Sequence, residues 1–271
     1  MGMKLALREG MVPGESIGAK FENARKLGYD GIEITTSSTR EALPEIKAAQ
    51  EATGVRAVLF SAHGGALADA RREEREKAIQ AHCLALELAA EVGGVGVISP
   101  PLITMKMQPD RPRIPDLWPL ATREELERQL LVKQYQRLAA YAGEVGAYII
   151  IEPLNRYEQW WPCTLAQAVE LCQQVNHPHC RMMADFFHMN IEEADIPAAI
   201  RAAAGWILHV HVADNHRQTP GRGSLDLRPG FRALKDIGYE GFFGVECSVP
   251  GDKMEELRRT ADYLRQLYEE A

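Results

Sequence analysis

The chain reads as an α/β protein, a single-domain (β/α)8 TIM barrel spanning residues 1–271, and three observations predict it. Short apolar runs alternate eight times with longer amphipathic stretches, the pattern of parallel strands joined by helical crossovers. A length of 271 residues suits one closed barrel of this kind, which needs ~250. The competing arrangement, an open doubly wound sheet, expects a glycine-rich phosphate loop after an early strand. Neither G-x-G-x-x-G nor G-x-x-x-x-G-K occurs.

The elements follow in order. Residues 3–7 form the first apolar run. A helix follows, with Ile17, Phe21, Ala24 and Leu27 on one stripe and Ser16 as its cap. Residues 31–35 are the second strand, and residues 43–52 a helix closed by Gly54. Residues 55–60 are a strand, 72–91 a long helix and 94–99 the fourth strand. Helical spacing of Leu126, Leu130, Leu131, Tyr135 and Leu138 predicts a helix over 123–143, and 147–151 is the fifth strand. A helix over 165–175, a strand over 181–184, a helix over 196–204 and a strand over 207–212 come next. A short helix over 229–237 carries its proline in the first turn. The eighth strand is 241–245, and the last helix carries Met254, Leu257, Ala261, Leu264 and Leu267.

Composition narrows the function. The chain is 46% hydrophobic and 25% charged, enough to bury a large core and remain soluble. Its net charge of −7 disfavours a phosphate-backbone binder, which needs a concentrated basic surface. The five cysteines (Cys83, Cys163, Cys172, Cys180, Cys247) form no Cys-x-x-Cys pair and read as reduced thiols. No apolar run approaches the ~20 residues of a membrane span. The segment from Met1 to Gly14 lacks the apolar stretch of a signal peptide. The expectation is a cytoplasmic enzyme or binding protein with no nucleic-acid and no membrane partner.

In a parallel barrel, catalytic groups sit where strands end. The fifth run ends in Glu152, the sixth in Asp185 and the eighth in Glu246, while the seventh carries His211 near its end. Each separation is about one strand-helix unit, so adjacent strands bring three carboxylates and one imidazole to one rim. Carboxylates that close repel one another unless a cation neutralises them. Oxygen donors with a single imidazole suit one divalent ion, Mn²⁺, Mg²⁺ or Co²⁺. His188 and Arg217 follow these positions closely and are donors for sugar oxygens or a developing enolate. Glu158 is an acceptor for hydroxyl hydrogens. His209 shares the strand face of His211 and reads as a barrel-interior histidine.

Four segments carry a family resemblance: Glu152-Pro-Leu-Asn-Arg-Tyr-Glu158, Asp185-Phe-Phe-His188-Met-Asn, His211-Val-Ala-Asp-Asn-His-Arg217 with Pro220-Gly221-Arg-Gly223, and Gly244-Val-Glu246. Gly28-Tyr-Asp-Gly-Ile-Glu33 agrees more loosely. The chain resembles the xylose-isomerase-like barrel superfamily, and within it the ketose 3-epimerases of the tagatose/psicose (allulose) type. The resemblance implies one divalent metal, usually Mn²⁺ or Co²⁺, on Glu152, Asp185, His211 and Glu246, and no nucleotide cofactor. It implies that Glu152 and Glu246 double as the acid/base pair, that His188, Arg217 and Glu158 bind the sugar, and that the chain forms a homodimer or homotetramer. The expected reaction is C3 epimerisation of a free ketose through an enediolate. Aldose-ketose isomerisation, hydroxypyruvate isomerisation and keto-inositol dehydration are close alternatives, and an AP-endonuclease-like DNA repair enzyme is a distant one.

Two loops stand outside the motifs. The segment Leu59-Phe-Ser-Ala-His63-Gly64-Gly65-Ala-Leu67 ends the third strand. Its two glycines let a ligand approach the backbone, and His63 is a pocket candidate. Residues 100–122 hold six of the 15 prolines, far longer than a usual strand-to-helix loop of about 2–6 residues. With Met105, Met107, Ile114 and Trp118, this stretch either covers the pocket or packs against another subunit.

Overall fold

A computed structural model describes residues 2–271. Strands β1 (Lys4–Arg8), β2 (Gly31–Ile34), β3 (Arg56–Ser61), β4 (Gly96–Ser99), β5 (Tyr148–Ile151), β6 (Cys180–Asp185), β7 (Ile207–Val212) and β8 (Phe242–Val245) pair in parallel in sequence order. The β1–β8 pair closes the barrel. The helices among the described residues are α1 (Ile17–Leu27), α2 (Leu43–Thr53), α3 (Arg72–Glu91), α4 (Ile103–Met107), α5 (Arg123–Val145), α6 (Leu165–Val175), α7 (Phe186–Glu192), α8 (Ile196–Ala202), α9 (Arg228–Asp236) and α10 (Lys253–Glu270).

Local chemistry sets the helix ends. Ser16 accepts the Ala19 N–H at the start of α1, and Gly54 closes α2 with a left-handed φ of 74°. Thr122 and Glu125 form a reciprocal capping box on α5. Two helices lie outside the sequence expectation. The five-residue α4 sits between Pro101 and Pro109, and the seven-residue α7 is largely apolar (Phe-Phe-His-Met), so neither has length or periodicity enough to register.

Strand alternation decides which residues reach the barrel mouth. Ala6, Ile98, Ile150, Met183 and Phe242 pack together inside the barrel. Ile149, Ile151, Met182, Ala184 and Phe243 belong to the core shared with the helices. Successive side chains point to opposite faces. The parity that turns Ile150 inward therefore carries Glu152 inward, Met183 carries Asp185, Phe242 carries Gly244 and Glu246, and Ala6 carries Arg8. On β7, Val210 and Val212 face the helices, leaving His209 and His211 inside. Each fully buried large side chain, such as Phe60 or Leu138, contributes roughly 1.5–3 kcal/mol to holding this scaffold rigid.

Candidate functional site

The barrel mouth gathers the four predicted metal ligands. One donor atom from each of Glu152, Asp185, His211 and Glu246 lies within 4.8 Å of all the others. His211 Nδ1 is 3.6 Å from Glu152 Oε1, 3.7 Å from Asp185 Oδ2 and 3.0 Å from Glu246 Oε2. Register supports the arrangement, since Asp185 pairs with His211 across β6–β7 and His211 with Gly244 across β7–β8. Asp185 divides its carboxylate. Oδ1 caps α7 by accepting the Phe187 N–H at 2.7 Å, and Oδ2 is left for the site.

Glu152 Oε1 and His211 Nδ1 are buried with no hydrogen-bond partner, an expensive condition for polar atoms unless something else is meant to meet them. Three carboxylates and one imidazole nitrogen, two of the donors orphaned and facing one another, fit a hard divalent ion. Burial works to raise Asp185, but His188, His211 and Arg217 outweigh it and hold the carboxyl well below its usual range. Burial works to lower His211, but Glu33, Asp185 and Glu152 outweigh it and raise the imidazole well above its usual value.

The substrate candidates flank this cluster. His188 Nδ1 accepts the Asn155 backbone N–H at 3.1 Å and its side-chain amide N–H at 2.8 Å. Nε2 is 3.5 Å from Asp185 Oδ2 and 3.1 Å from Arg217 Nη1, so the imidazole and the guanidinium lie side by side at the rim of the cluster. Arg217 stacks over Phe187 at 4.5 Å and donates to Glu246 Oε2 at 2.7 Å. Its φ of 56° is left-handed, and bonds from its own N–H to Asp214 O and from Ser248 N–H to its carbonyl hold it there. Glu158 is half-buried at the edge, where its Oε1 accepts the Asn155 amide at 3.0 Å.

His63 is exposed; its ring contacts the carbonyl of Thr35, and it lines a polar cavity of about 380 Å³ with Ser99, Thr104, Gln108 and Arg111 among others. Gly65 serves packing rather than a ligand, because a Cβ there would stand 2.1 Å from the Glu74 carbonyl of α3. The Pro-rich stretch is strapped down: Arg111 pairs with Asp69 and Glu74, and Arg113 with Glu127. Of its four apolar candidates, Met105 is buried, while Ile114 lines an outer groove with Leu126 and Leu130. Met107 and Trp118 are exposed. Only the part from Pro100 to Arg111 walls the cavity near the site.

Two residues were missed. Arg8 ends β1, points into the mouth and touches Glu246; scanning the ends of all eight strands rather than the late four would have found it. Glu33 sits on β2 and accepts the Nε2–H of His209 at 2.7 Å and of His211 at 3.1 Å. Burial works to raise it, but the two imidazoles outweigh that and hold it well below the carboxylate range. Its signal was a single carboxylate inside the wholly buried strand Gly-Ile-Glu-Ile. His209 lies in the barrel interior, as expected.

Known proteins place this architecture. The sequence pattern of the xylose isomerase-like TIM barrel family matches residues 21–267. A 3-dehydro-D-guloside 4-epimerase of Escherichia coli (strain K12) is 31% identical over 257 residues, 93% of this chain and 95% of that protein. A D-psicose 3-epimerase of Ruminiclostridium cellulolyticum is 34% identical over 136 residues, 49% of this chain and 46% of that protein. The solved structure of 3-keto-D-glucoside 4-epimerase from E. coli superimposes with a TM-score of 0.87 at 29% identity, covering 97% of this chain and 99% of that one. The chain belongs to the xylose isomerase-like TIM barrel family. It is an enzyme of the isomerase class, of the epimerase kind that these relatives represent.

Proposed function

We propose that the protein is a metal-dependent sugar epimerase that inverts the carbinol carbon beside a ketone, with C3 of a free ketose as the target. The observation that carries this reading is the pair Glu152 and Glu246. They follow β5 and β8, three strands apart in the closed barrel, and both aim into one cluster of four converging donors. A hydrogen on a carbon next to a ketone is weakly acidic, so a positioned base is needed to remove it. A divalent ion on Glu152, Asp185, His211 and Glu246 supplies Lewis-acid polarisation of the ketone when bound.

The chain's own residues do the rest. One glutamate takes the proton from one face of the sugar, and the other delivers a proton to the opposite face. In the reverse reaction the two exchange roles. The His188 imidazole and the Arg217 guanidinium, side by side at the rim, bind sugar oxygens, and Glu158 accepts a hydroxyl hydrogen. Asn155 fixes the orientation of the His188 ring through its two contacts with Nδ1. No redox step is required.

A second reading, inversion at C4 of a 3-keto hexoside, is favoured by the near end-to-end match to the 4-epimerase, where the 3-epimerase match covers about half the chain. The chemistry is the same, since C4 neighbours a C3 ketone as C3 neighbours a C2 ketone. The polar cavity at Ser99, on the strand that pairs with β5, is the space this reading assigns to the group a glycoside adds.

The test is isotopic. Metal-stripped enzyme is reloaded with Mn²⁺ and incubated in D₂O with free ketohexoses, ketopentoses, a 3-keto glucoside, hydroxypyruvate and keto-inositol. Deuterium at C3 of a ketose with inversion supports the first reading, and deuterium at C4 of the glucoside the second. Transfer between C1 and C2 makes the enzyme an isomerase, and loss of water a dehydratase. Absence of exchange in every substrate, or full activity after exhaustive chelation, overturns the proposal.

A further inference from the structure

Beneath the four-ligand cluster, Glu33 and His209 form a buried polar layer that the reaction itself does not use and that reaches the ligand His211. Glu33 is 3% exposed, and His209 and His211 are 0% exposed. Glu33 Oε1 is 2.7 Å from His209 Nε2, and Glu33 Oε2 is 3.1 Å from His211 Nε2. The carboxylate therefore sits between the two rings, which stand nearly perpendicular at 85° with centroids 5.2 Å apart. Space for it is made by Gly244, where a Cβ would stand 1.9 Å from Glu33 Oε1, 2.9 Å from His209 Nε2 and 2.9 Å from the His211 ring. An ionised carboxylate only accepts hydrogen bonds, so both imidazoles present N–H at Nε2. The opposite nitrogen of His211, Nδ1, is then a bare lone pair, and it is this atom that faces Glu152, Asp185 and Glu246.

Resting on the divalent-ion reading above, we propose that Glu33 is a positioning residue. It fixes His211 in the Nε2–H form and orients its ring so that Nδ1 is the ligand, with Gly244 reserving its place. The wedge explains why a carboxylate interrupts an otherwise apolar strand, and why the residue two before Glu246 is glycine. Carboxylates behind a ligating histidine typically change metal affinity by about 10–100-fold.

The test measures the metal rather than turnover. Mn²⁺ affinity of the full chain is determined by competition with a chelator, for the wild type and for Glu33→Gln. Glutamine keeps the size but presents an N–H₂ to one of the rings. The expected result is one Mn²⁺ per wild-type chain and a loss of about 10–100-fold in affinity for the variant, with the metal-free variant still folded by circular dichroism. Glu33→Asp, which keeps the charge but draws it back by one methylene, recovers part of that loss. Independently of any variant, long-range ¹H–¹⁵N correlation on histidine-labelled wild type loaded with Mg²⁺ shows the His211 hydrogen on Nε2. A hydrogen on Nδ1, a Glu33→Gln affinity within twofold of wild type, or two Mn²⁺ per chain overturns the assignment while the metal reading survives. A wild-type protein that takes up no divalent ion overturns both.

Discussion

At the scale of single residues the proposed reaction divides the site into groups that move protons and groups that hold the sugar. Glu246 accepts from Arg217 and touches Arg8. On that proposal Glu246→Gln removes both a base and a metal donor, and turnover is expected to fall by at least ~10²-fold, read as kcat with saturating Mn²⁺. Activity retained in that variant would remove Glu246 from the acid/base pair. His188→Ala and Arg217→Ala leave all four ligands in place. Both should raise KM or lower kcat while the Mn²⁺ dissociation constant stays within a few-fold of wild type, a split that steady-state kinetics and metal titration resolve. Asp185 and His211 were legible as strand-terminal polar residues. Glu33 was not, because its meaning lies in two histidines more than 170 residues away.

At the scale of elements, the loops after the strands are anchored by buried acids. Glu9 follows β1 and accepts the N–H groups of Thr35, Thr36 and Ser37 at 3.0, 2.8 and 2.9 Å, fixing the loop after β2. Burial works to raise Glu9, but the bonds from Ser37 and Thr36 bring it down to about 2 from 4.5. A depressed carboxyl stabilises the fold above the unfolded value and loses that contribution as pH falls toward the folded one. Glu9→Gln should therefore melt below wild type at pH 7, with the gap closing between pH 4.5 and 2 in thermal scans. A gap that is constant with pH would mean the charge is not the source. The capping box of α5 makes a similar claim: Thr122→Ala should cost ~0.5–2 kcal/mol in denaturant unfolding. Helix caps are local and were legible in part, as Ser16 and Gly54 show. The strap from Pro100 onward was not, because its course is set by Arg111 and Arg113 reaching acids on other elements.

At the scale of the whole molecule, a ligand that binds only the folded barrel stabilises it by mass action, about 2.7 kcal/mol at one hundred times its dissociation constant. Adding Mn²⁺ to metal-stripped protein should raise Tm, and chelator should reverse the rise together with the activity. An unchanged Tm would count against a resident dication. Of the five exposed large apolar side chains among the described residues, Met107, Leu117, Trp118 and Leu120 crowd one short segment, the fifth being Tyr157. Sedimentation is expected to show a dimer or tetramer, and Leu120→Glu to shift it toward monomer. A wild type that stays monomeric at micromolar concentration would contradict that expectation. No helix among the described residues is long and apolar enough to cross a membrane.

The amino-acid order by itself determined the eightfold alternation and the four polar residues that end the late strands. Both follow from short-range rules: apolar period, caps, and the placement of strand ends on one rim in a parallel barrel. Only the tertiary structure decided that Arg8 meets Glu246, that Glu33 lies between His209 and His211, and that His63 meets the Thr35 carbonyl. Those contacts depend on how β1 closes against β8, which inward-facing side chains share a layer, and where a missing Cβ leaves room. These are properties of the closed barrel rather than of any segment within it.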